Sequence, residues 1–181
     1  MAIIELGAGC GLLSLTAVQV FTGLECLVMT DHDPGTLERA KDNHETTCEE
    51  VFSDQHLVNQ IISVSTLWEP LSWGDEAAAK GVLGKLQSVV KRDSAKFDMI
   101  LGSDLIYDFD VVKPLIITAA ALLDKGNNEA IFILSQSFPY DDKTETEIDN
   151  VCAAHGLGRN ILCDSLDSTD GFRIQEFFWK S

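Results

Sequence analysis

Residues 5–12 read Glu-Leu-Gly-Ala-Gly-Cys-Gly-Leu, with three glycines alternating with other residues. The stretch follows a short apolar run, residues 3–6, and precedes residues 12–20, whose apolar side chains recur at helical spacing. A strand that enters a glycine-rich turn and leaves as a helix is typical of the first unit of an open parallel sheet. The pattern predicts that a ligand binds outside the carboxyl end of this first strand.

The rest of the chain continues the alternation of short apolar runs with longer helical stretches, which is typical of a parallel sheet covered on both faces. The last two strand candidates are joined by polar residues 164–171 without a helix, which favours an antiparallel pair. We therefore predict one α/β domain over residues 1–181, with a Rossmann-like, doubly wound, seven-stranded, mostly parallel sheet and a C-terminal antiparallel hairpin. The predicted strands are residues 3–6, 26–30, 61–67, 97–102, 130–135, 160–163 and 172–179. The predicted helices are residues 12–20, 34–50, 76–90, 111–123 and 141–155.

The charge balance restricts the class of partner. The 181 residues include 13 Lys and Arg against 29 Asp and Glu, a formal net charge of -16. Such a surface repels phosphate backbones and attracts basic proteins, so we expect no nucleic-acid partner. An apolar stretch of the roughly 20 residues that span a bilayer is absent from the sequence, so we expect no membrane partner either.

Cysteine and histidine usage gives no sign of a metal site. The five cysteines have wide spacings without a CxxC pair, and the four histidines show no ligand spacing. Reduced thiols are typical of a cytoplasmic or nuclear protein, so we expect a cytoplasmic location, with the nucleus as the alternative. Nothing in the sequence indicates an oligomer, and we expect a monomer.

An acidic residue after the second strand narrows the ligand to a nucleoside. Asp31 lies 20 residues after Gly11, at the end of the second predicted strand. An acidic side chain at that position can accept hydrogen bonds from ribose hydroxyls. The coincidence of strand, glycines, helix and acidic residue predicts a cofactor that contains adenosine. The alternative is a glycine turn that serves packing alone.

The glycine spacing and the charge before it discriminate between two such cofactors. The dinucleotide fingerprint is GxGxxG, whereas here the spacing is GxGxG and Leu12 takes the place of the third glycine. Glu5 precedes Gly7 by two residues, and its charge would repel a pyrophosphate but could accept hydrogen bonds from an ammonium group. S-adenosylmethionine carries such an ammonium group and no phosphate, so the sequence favours it over NAD.

These residues resemble the first motif of class I, seven-β-strand, S-adenosylmethionine-dependent methyltransferases. Residues 5–12 are most similar to the protein-lysine methyltransferases called methyltransferase-like 21 or family 16. Residues 97–107 resemble that family's fourth strand with its DxxY signature, which here is Asp104 to Tyr107. The resemblance implies methylation of a lysine presented by a protein substrate. It also implies an N-terminal segment before the first strand that helps to cover the cofactor, and we expect this chain to lack it.

The resemblance assigns roles to individual residues. Asp104 and Tyr107 are implied to be catalytic, because they would align the lysine amine near the methyl group. The alternative is that Asp104 caps the next helix and Tyr107 packs against it. The residues implied to bind the cofactor are Glu5, Gly7, Ala8, Gly9, Gly11, Asp31, Ser103, Trp68 and Trp73.

Two tryptophans are candidates for the aromatic residue that, in the family, lies near the adenine. Trp68 directly follows the third predicted strand, whereas Trp73-Gly74 better matches the family's Trp-Gly pair. Either could instead be a core aromatic, and the sequence leaves the choice open.

Three functions remain compatible with the sequence. The first is a protein-lysine methyltransferase. The second is a methyltransferase of the same fold with another nucleophile, or an NAD-dependent oxidoreductase, although the glycine spacing opposes NAD and a YxxxK-like pair is missing. The third is a non-catalytic interaction module that keeps the fold.

Overall fold

The computed structural model describes residues 1–50, 63–91, 95–166 and 171–180. Within them the chain forms one mixed sheet of seven strands in the order β3-β2-β1-β4-β5-β7-β6. The first five strands pair in parallel, and β7 pairs antiparallel with both β5 and β6. The strands are β1 Ala2–Leu6, β2 Cys26–Asp31, β3 Ser65–Pro70, β4 Met99–Ser103, β5 Ile131–Gln136, β6 Leu157–Asp164 and β7 Arg173–Trp179.

Helices connect the parallel strands, as the sequence predicts. A 3₁₀ turn at Phe109–Val111 leads into the fourth of them. Among the described residues, none of these helices is long and apolar enough to cross a bilayer. The helices are α1 Leu12–Val20, α2 Pro34–Glu50, α3 Glu76–Val89, α4 Val112–Leu122 and α5 Asp142–Ala154.

The first strand lies in the middle of the sheet and is buried on both faces. All five of its residues are buried, and it pairs with β2 on one side and β4 on the other. Because side chains alternate across a strand, Ile4 packs with the apolar faces of α3, α4 and α5, whereas Ile3 packs with those of α1 and α2. The fold predicted from the sequence is therefore confirmed, including the C-terminal hairpin.

The predicted bounds of the third strand are wrong. The third strand was predicted at residues 61–67, but β3 is Ser65–Pro70, and residues 61 and 62 lie outside the described part of the chain. Trp68 is therefore inside the strand, paired with Met29, and does not begin the following loop. An edge strand tolerates a terminal proline, so Pro70 does not end the pairing early.

Candidate active site

A cleft of about 420 Å³ lies beyond the carboxyl ends of β1, β2 and β4. Open parallel sheets bind their ligands at such a place, because the connections that follow β1 and β4 run to opposite faces of the sheet there. Of the residues predicted from the sequence, those that line this cleft are Gly7, Asp31, Trp73, Ser103, Asp104 and Tyr107.

The glycine turn reaches the cleft at Gly7, whereas Ala8, Gly9 and Gly11, which were also predicted to bind the cofactor, are not among the lining residues. Gly7, Gly9 and Gly11 have φ angles of 62°, 55° and 81°, which side chains with a Cβ rarely adopt. The turn is tied to β2 because the Ala8 amide donates to the Thr30 carbonyl at 2.8 Å. A Cβ placed on Gly9 would meet nothing within 4 Å, so the turn leaves open space above its backbone.

Glu5 is buried beneath the turn and does not line the cleft. Its side chain is 3% exposed, and Oε2 accepts a hydrogen bond of 3.0 Å from the Ser14 amide in the first turn of α1. Gly11, the residue before α1, has no side chain to cap the helix, so Glu5 performs this task from the strand. Burial raises the pKa of Glu5 from 4.5 to about 7, with a smaller contribution from the Asp31 carboxylate, while the Ser14 amide opposes the rise.

This raised pKa predicts a pH-dependent stability. Between pH 4.5 and about 7 the native state keeps the Glu5 proton, whereas the unfolded chain has lost it. The stabilisation of the native state by protonated Glu5 is therefore complete below pH 4.5 and is lost as the pH rises through 7. We expect the free energy of unfolding of the wild type to fall relative to that of Glu5→Gln, by on the order of 2 kcal/mol between pH 5.5 and 7. Urea unfolding of both proteins across this range measures the difference. Parallel curves would show that Glu5 is ionised in the folded protein.

Asp31 joins the glycine turn to the second strand. Its carboxylate accepts hydrogen bonds from the Gly9 amide at 3.2 Å and from the Asp33 amide at 3.1 Å, and only 9% of the residue is exposed. The exposed part faces the cleft, because Asp31 is among its lining residues. This position fits the predicted role as an acceptor for ribose hydroxyls, which stays a prediction.

The structure separates the two tryptophans. Trp73 lines the cleft, and its ring would lie 3.3 Å from a Cβ on Gly7. Trp68 instead lies on the α2 side of β3, where its ring meets His44 edge-on with centroids 5.4 Å apart. Trp73 is therefore the tryptophan that the cleft offers to a flat ligand group.

The DxxY residues lie beside the glycine turn, because β4 neighbours β1 and Leu105 lies against Gly7. Asp104 has a φ angle of 52°, the only positive value of a non-glycine residue in the described part of the chain. It does not cap a helix: Asp108 caps the 3₁₀ turn, while Oδ1 of Asp104 accepts hydrogen bonds from Ser137. Tyr107 is 68% exposed, so it does not pack against the helix either. The alternative of a cap and a packing residue is thereby excluded.

A sequence profile of the family described as lysine methyltransferase matches residues 1–147. The chain belongs to the lysine methyltransferase family. The predicted activity, that of an S-adenosylmethionine-dependent methyltransferase, is confirmed at the level of this family, and the NAD-dependent oxidoreductase is set aside.

Solved methyltransferases share the fold of this chain. A precorrin-6y C5,15-methyltransferase from Geobacter metallireducens GS-15 aligns with a TM-score of 0.60 at 14% identity, over 99% of this chain and 80% of that one. A methyltransferase from Pyrococcus furiosus aligns with a TM-score of 0.61 at 17% identity, over 98% and 74%. Magnesium protoporphyrin IX methyltransferase from Synechocystis PCC 6803, solved with S-adenosylmethionine bound, gives 0.57 at 16% identity, over 98% and 69%. No curated protein sequence matches the chain.

The cleft of this chain fits the cofactor of its family. Its volume is within the range of about 300–1,000 Å³ that is common for small-molecule sites. Its described lining contains two carboxylates, Asp31 and Asp104, and neither lysine nor arginine. That electrostatic character suits a cationic ligand without phosphates and is unfavourable for the pyrophosphate of a dinucleotide.

Sequence reasoning missed several residues of the lining. His32 was not predicted as a site residue, yet it lines the cleft, with Nδ1 3.1 Å from Asp31 Oδ1. Its position directly after Asp31 was the available signal. The remaining unpredicted residues of the lining are Leu71, Ser72, Leu105, Val111 and Pro114.

Proposed function

We propose that this chain transfers a methyl group from S-adenosylmethionine to the ε-amine of a lysine in a protein substrate, within the cleft beyond β1, β2 and β4. The observation that carries the proposal is that Asp104 and Tyr107 line the same cleft as Gly7 and Asp31. Cofactor-binding and amine-binding residues would thus face one space of small-molecule size.

The proposed cofactor residues come from the ends of neighbouring strands. The absence of a side chain at Gly7 would let the cofactor approach the backbone of the turn closely, and Asp31 would accept hydrogen bonds from ribose hydroxyls. Trp73 and Ser103 would complete the pocket, because both line the cleft. When bound, S-adenosylmethionine would supply an electrophilic methyl group on a sulfonium centre.

Asp104 and Tyr107 would act on the lysine. A free lysine has a pKa of about 10.4, so at neutral pH it arrives as an ammonium ion and must lose a proton before it can attack. The Asp104 carboxylate can orient the amine and stabilise the positive charge that nitrogen regains on accepting the methyl group. The exposed Tyr107 ring, at the mouth of the cleft, can add cation–π stabilisation.

The charge of the chain supports a basic protein as the substrate. Asp104, Asp108 and Asp110 are all exposed on the segment that follows β4. Together with the net charge of -16 they would attract a lysine-bearing surface and raise its rate of encounter. The free cysteines of the described residues support the proposal of a cytoplasmic or nuclear location.

Radioactive methyl transfer tests the proposal. The chain is incubated with S-adenosylmethionine that carries a tritiated methyl group and with the soluble proteins of cells that lack the enzyme. We expect label in protein, located by mass spectrometry on the ε-nitrogen of lysine. Prior acetylation of all lysines in the extract, which turns each ε-amine into a non-nucleophilic amide, is the control and should remove the label. Label that survives this treatment, on arginine or carboxyl groups, would contradict the proposal.

A further inference from the structure

Four hydrogen bonds join the segment that ends β5 to the segment that ends β4. Ser135 Oγ donates to Ser103 Oγ at 3.0 Å, and the Asp104 amide donates to the Ser135 carbonyl at 3.0 Å. Ser137 makes the other two, from its amide at 2.7 Å and from its hydroxyl at 2.9 Å, both to Asp104 Oδ1. Both donors of Ser137 therefore converge on one oxygen of the proposed catalytic carboxylate.

The backbone of Asp104 needs such support. Its φ of 52° lies in the left-handed region, which is unfavourable for a residue with a Cβ and persists where the surroundings over-determine it. Hydrogen bonds that involve an ionised group are shorter and stronger than those between neutral groups. Because Ser137 uses Oδ1, and no donor among the described residues reaches Oδ2, the second oxygen is the one left for an incoming amine.

The buried side-chain amides of Gln136 and Gln175 fix the backbone around Ser137. Gln136 is 1% exposed, and its Nε2 donates to the Phe138 carbonyl at 2.8 Å, which fixes the chain on both sides of Ser137. The fully buried Gln175 of β7 donates through Nε2 to Gln136 Oε1, and its Oε1 accepts from Arg159 Nε at 2.6 Å. Gln175 and Arg159 belong to the C-terminal hairpin, which lies beyond the family match at residues 1–147.

We propose that Ser137 is a positioning residue for methyl transfer: its amide and hydroxyl fix the Asp104 carboxylate in the cleft, and the buried pair Gln136–Gln175 fixes Ser137. The inference rests on the proposed function, because it assigns Ser137 to the orientation of the carboxylate that receives the lysine. It also gives the C-terminal hairpin a part in the active site, although none of the hairpin's described residues lines the cleft.

Substitution of Ser137 separates positioning from a purely structural role. In Ser137→Ala we expect the rate of tritium transfer at saturating cofactor to fall about tenfold, the order of a lost hydrogen bond to a charged group. The affinity for S-adenosylhomocysteine, measured by calorimetry, should stay within about twofold, because Ser137 does not line the cofactor side of the cleft. Ser137→Thr keeps the hydroxyl and should restore most of the rate. Ser88→Ala, which removes an exposed serine hydroxyl in α3, is the matched control.

A measurement independent of activity accompanies the assay. The ¹³C signal of the Asp104 carboxyl group should shift in Ser137→Ala and return in Ser137→Thr, and it should stay unchanged in Ser88→Ala. If the wild type methylates lysine and Ser137→Ala does so at the full rate, the positioning role is wrong and the proposed function stands. If the wild type methylates nothing, the proposed function fails, and the carboxyl signal still decides the positioning: an unchanged signal in Ser137→Ala would overturn it.

Discussion

Asp104→Asn is expected to lower the rate of lysine methylation by at least about 100-fold, while the affinity for S-adenosylhomocysteine changes by less than about threefold. The loss is of the size found when a preorganised charge that stabilises the transition state is removed. Asparagine is the informative replacement because it tolerates the positive φ of this position and can still accept from Ser137. The substitution therefore removes the charge and preserves the backbone.

The control for Asp104→Asn removes the same charge from a nearby site. Asp108 is exposed, caps the 3₁₀ turn through a hydrogen bond of 2.9 Å to the Asp110 amide and does not line the cleft. Asparagine is as good a cap as aspartate, so Asp108→Asn should keep most of the rate. Equal losses in the two variants would mean that Asp104 acts only through the general negative potential. A fully active Asp104→Asn variant would show that the Asp104 carboxylate is not catalytic.

Gly7→Ala is expected to damage both the fold and the binding of S-adenosylhomocysteine. The new Cβ would lie 2.7 Å from Leu105 Cδ2 and 3.3 Å from the Trp73 ring, at a backbone φ of 62°. The left-handed conformation costs roughly 1–2 kcal/mol for alanine and the overpacking about 1–3 kcal/mol, so we expect a loss of about 2–5 kcal/mol in the free energy of unfolding. Because Leu105 and Trp73 line the cleft, the affinity for S-adenosylhomocysteine should fall more than about tenfold.

Gly81→Ala provides the matched comparison. Gly81 lies within α3, where a Cβ would meet nothing within 4 Å and φ is not positive. The same substitution there should stabilise the protein by about 1 kcal/mol, because alanine is the better helix former, and leave binding unchanged. Urea unfolding and calorimetry of both variants test the pair. A Gly7→Ala protein with wild-type stability and affinity would show that the turn has another conformation.

The sequence alone predicts the features that depend on residues close together in the chain. The glycine turn after β1, Asp31 at the end of β2 and the DxxY residues after β4 lie where the sequence predicts, because each depends on short spacing and on the rule that parallel strands place their carboxyl ends together. The bounds of α1 were predicted correctly for the same reason: a glycine turn starts the helix at Leu12.

The other features of the site depend on contacts between residues far apart in the chain, which a single sequence does not reveal. Trp68 could not be excluded from the cleft, because the strand was predicted to end at residue 67 and Trp68 was expected in the loop, whereas it pairs with Met29 inside β3. Glu5 was interpreted as a ligand for an ammonium group, yet its Oε2 is used by the Ser14 amide. The contact between Asp104 and Ser137 spans 33 residues and follows from the pairing of Ser103 with Ser135.

Calorimetric titration of the purified chain with S-adenosylhomocysteine, and in parallel with NAD, tests the central claim most directly. We predict saturable binding of S-adenosylhomocysteine that is weakened by Asp31→Ala, and no binding of NAD. Binding of NAD instead, or of neither ligand by a chain that circular dichroism shows to be folded, would contradict the claim that this cleft is the site of an S-adenosylmethionine-dependent methyltransferase.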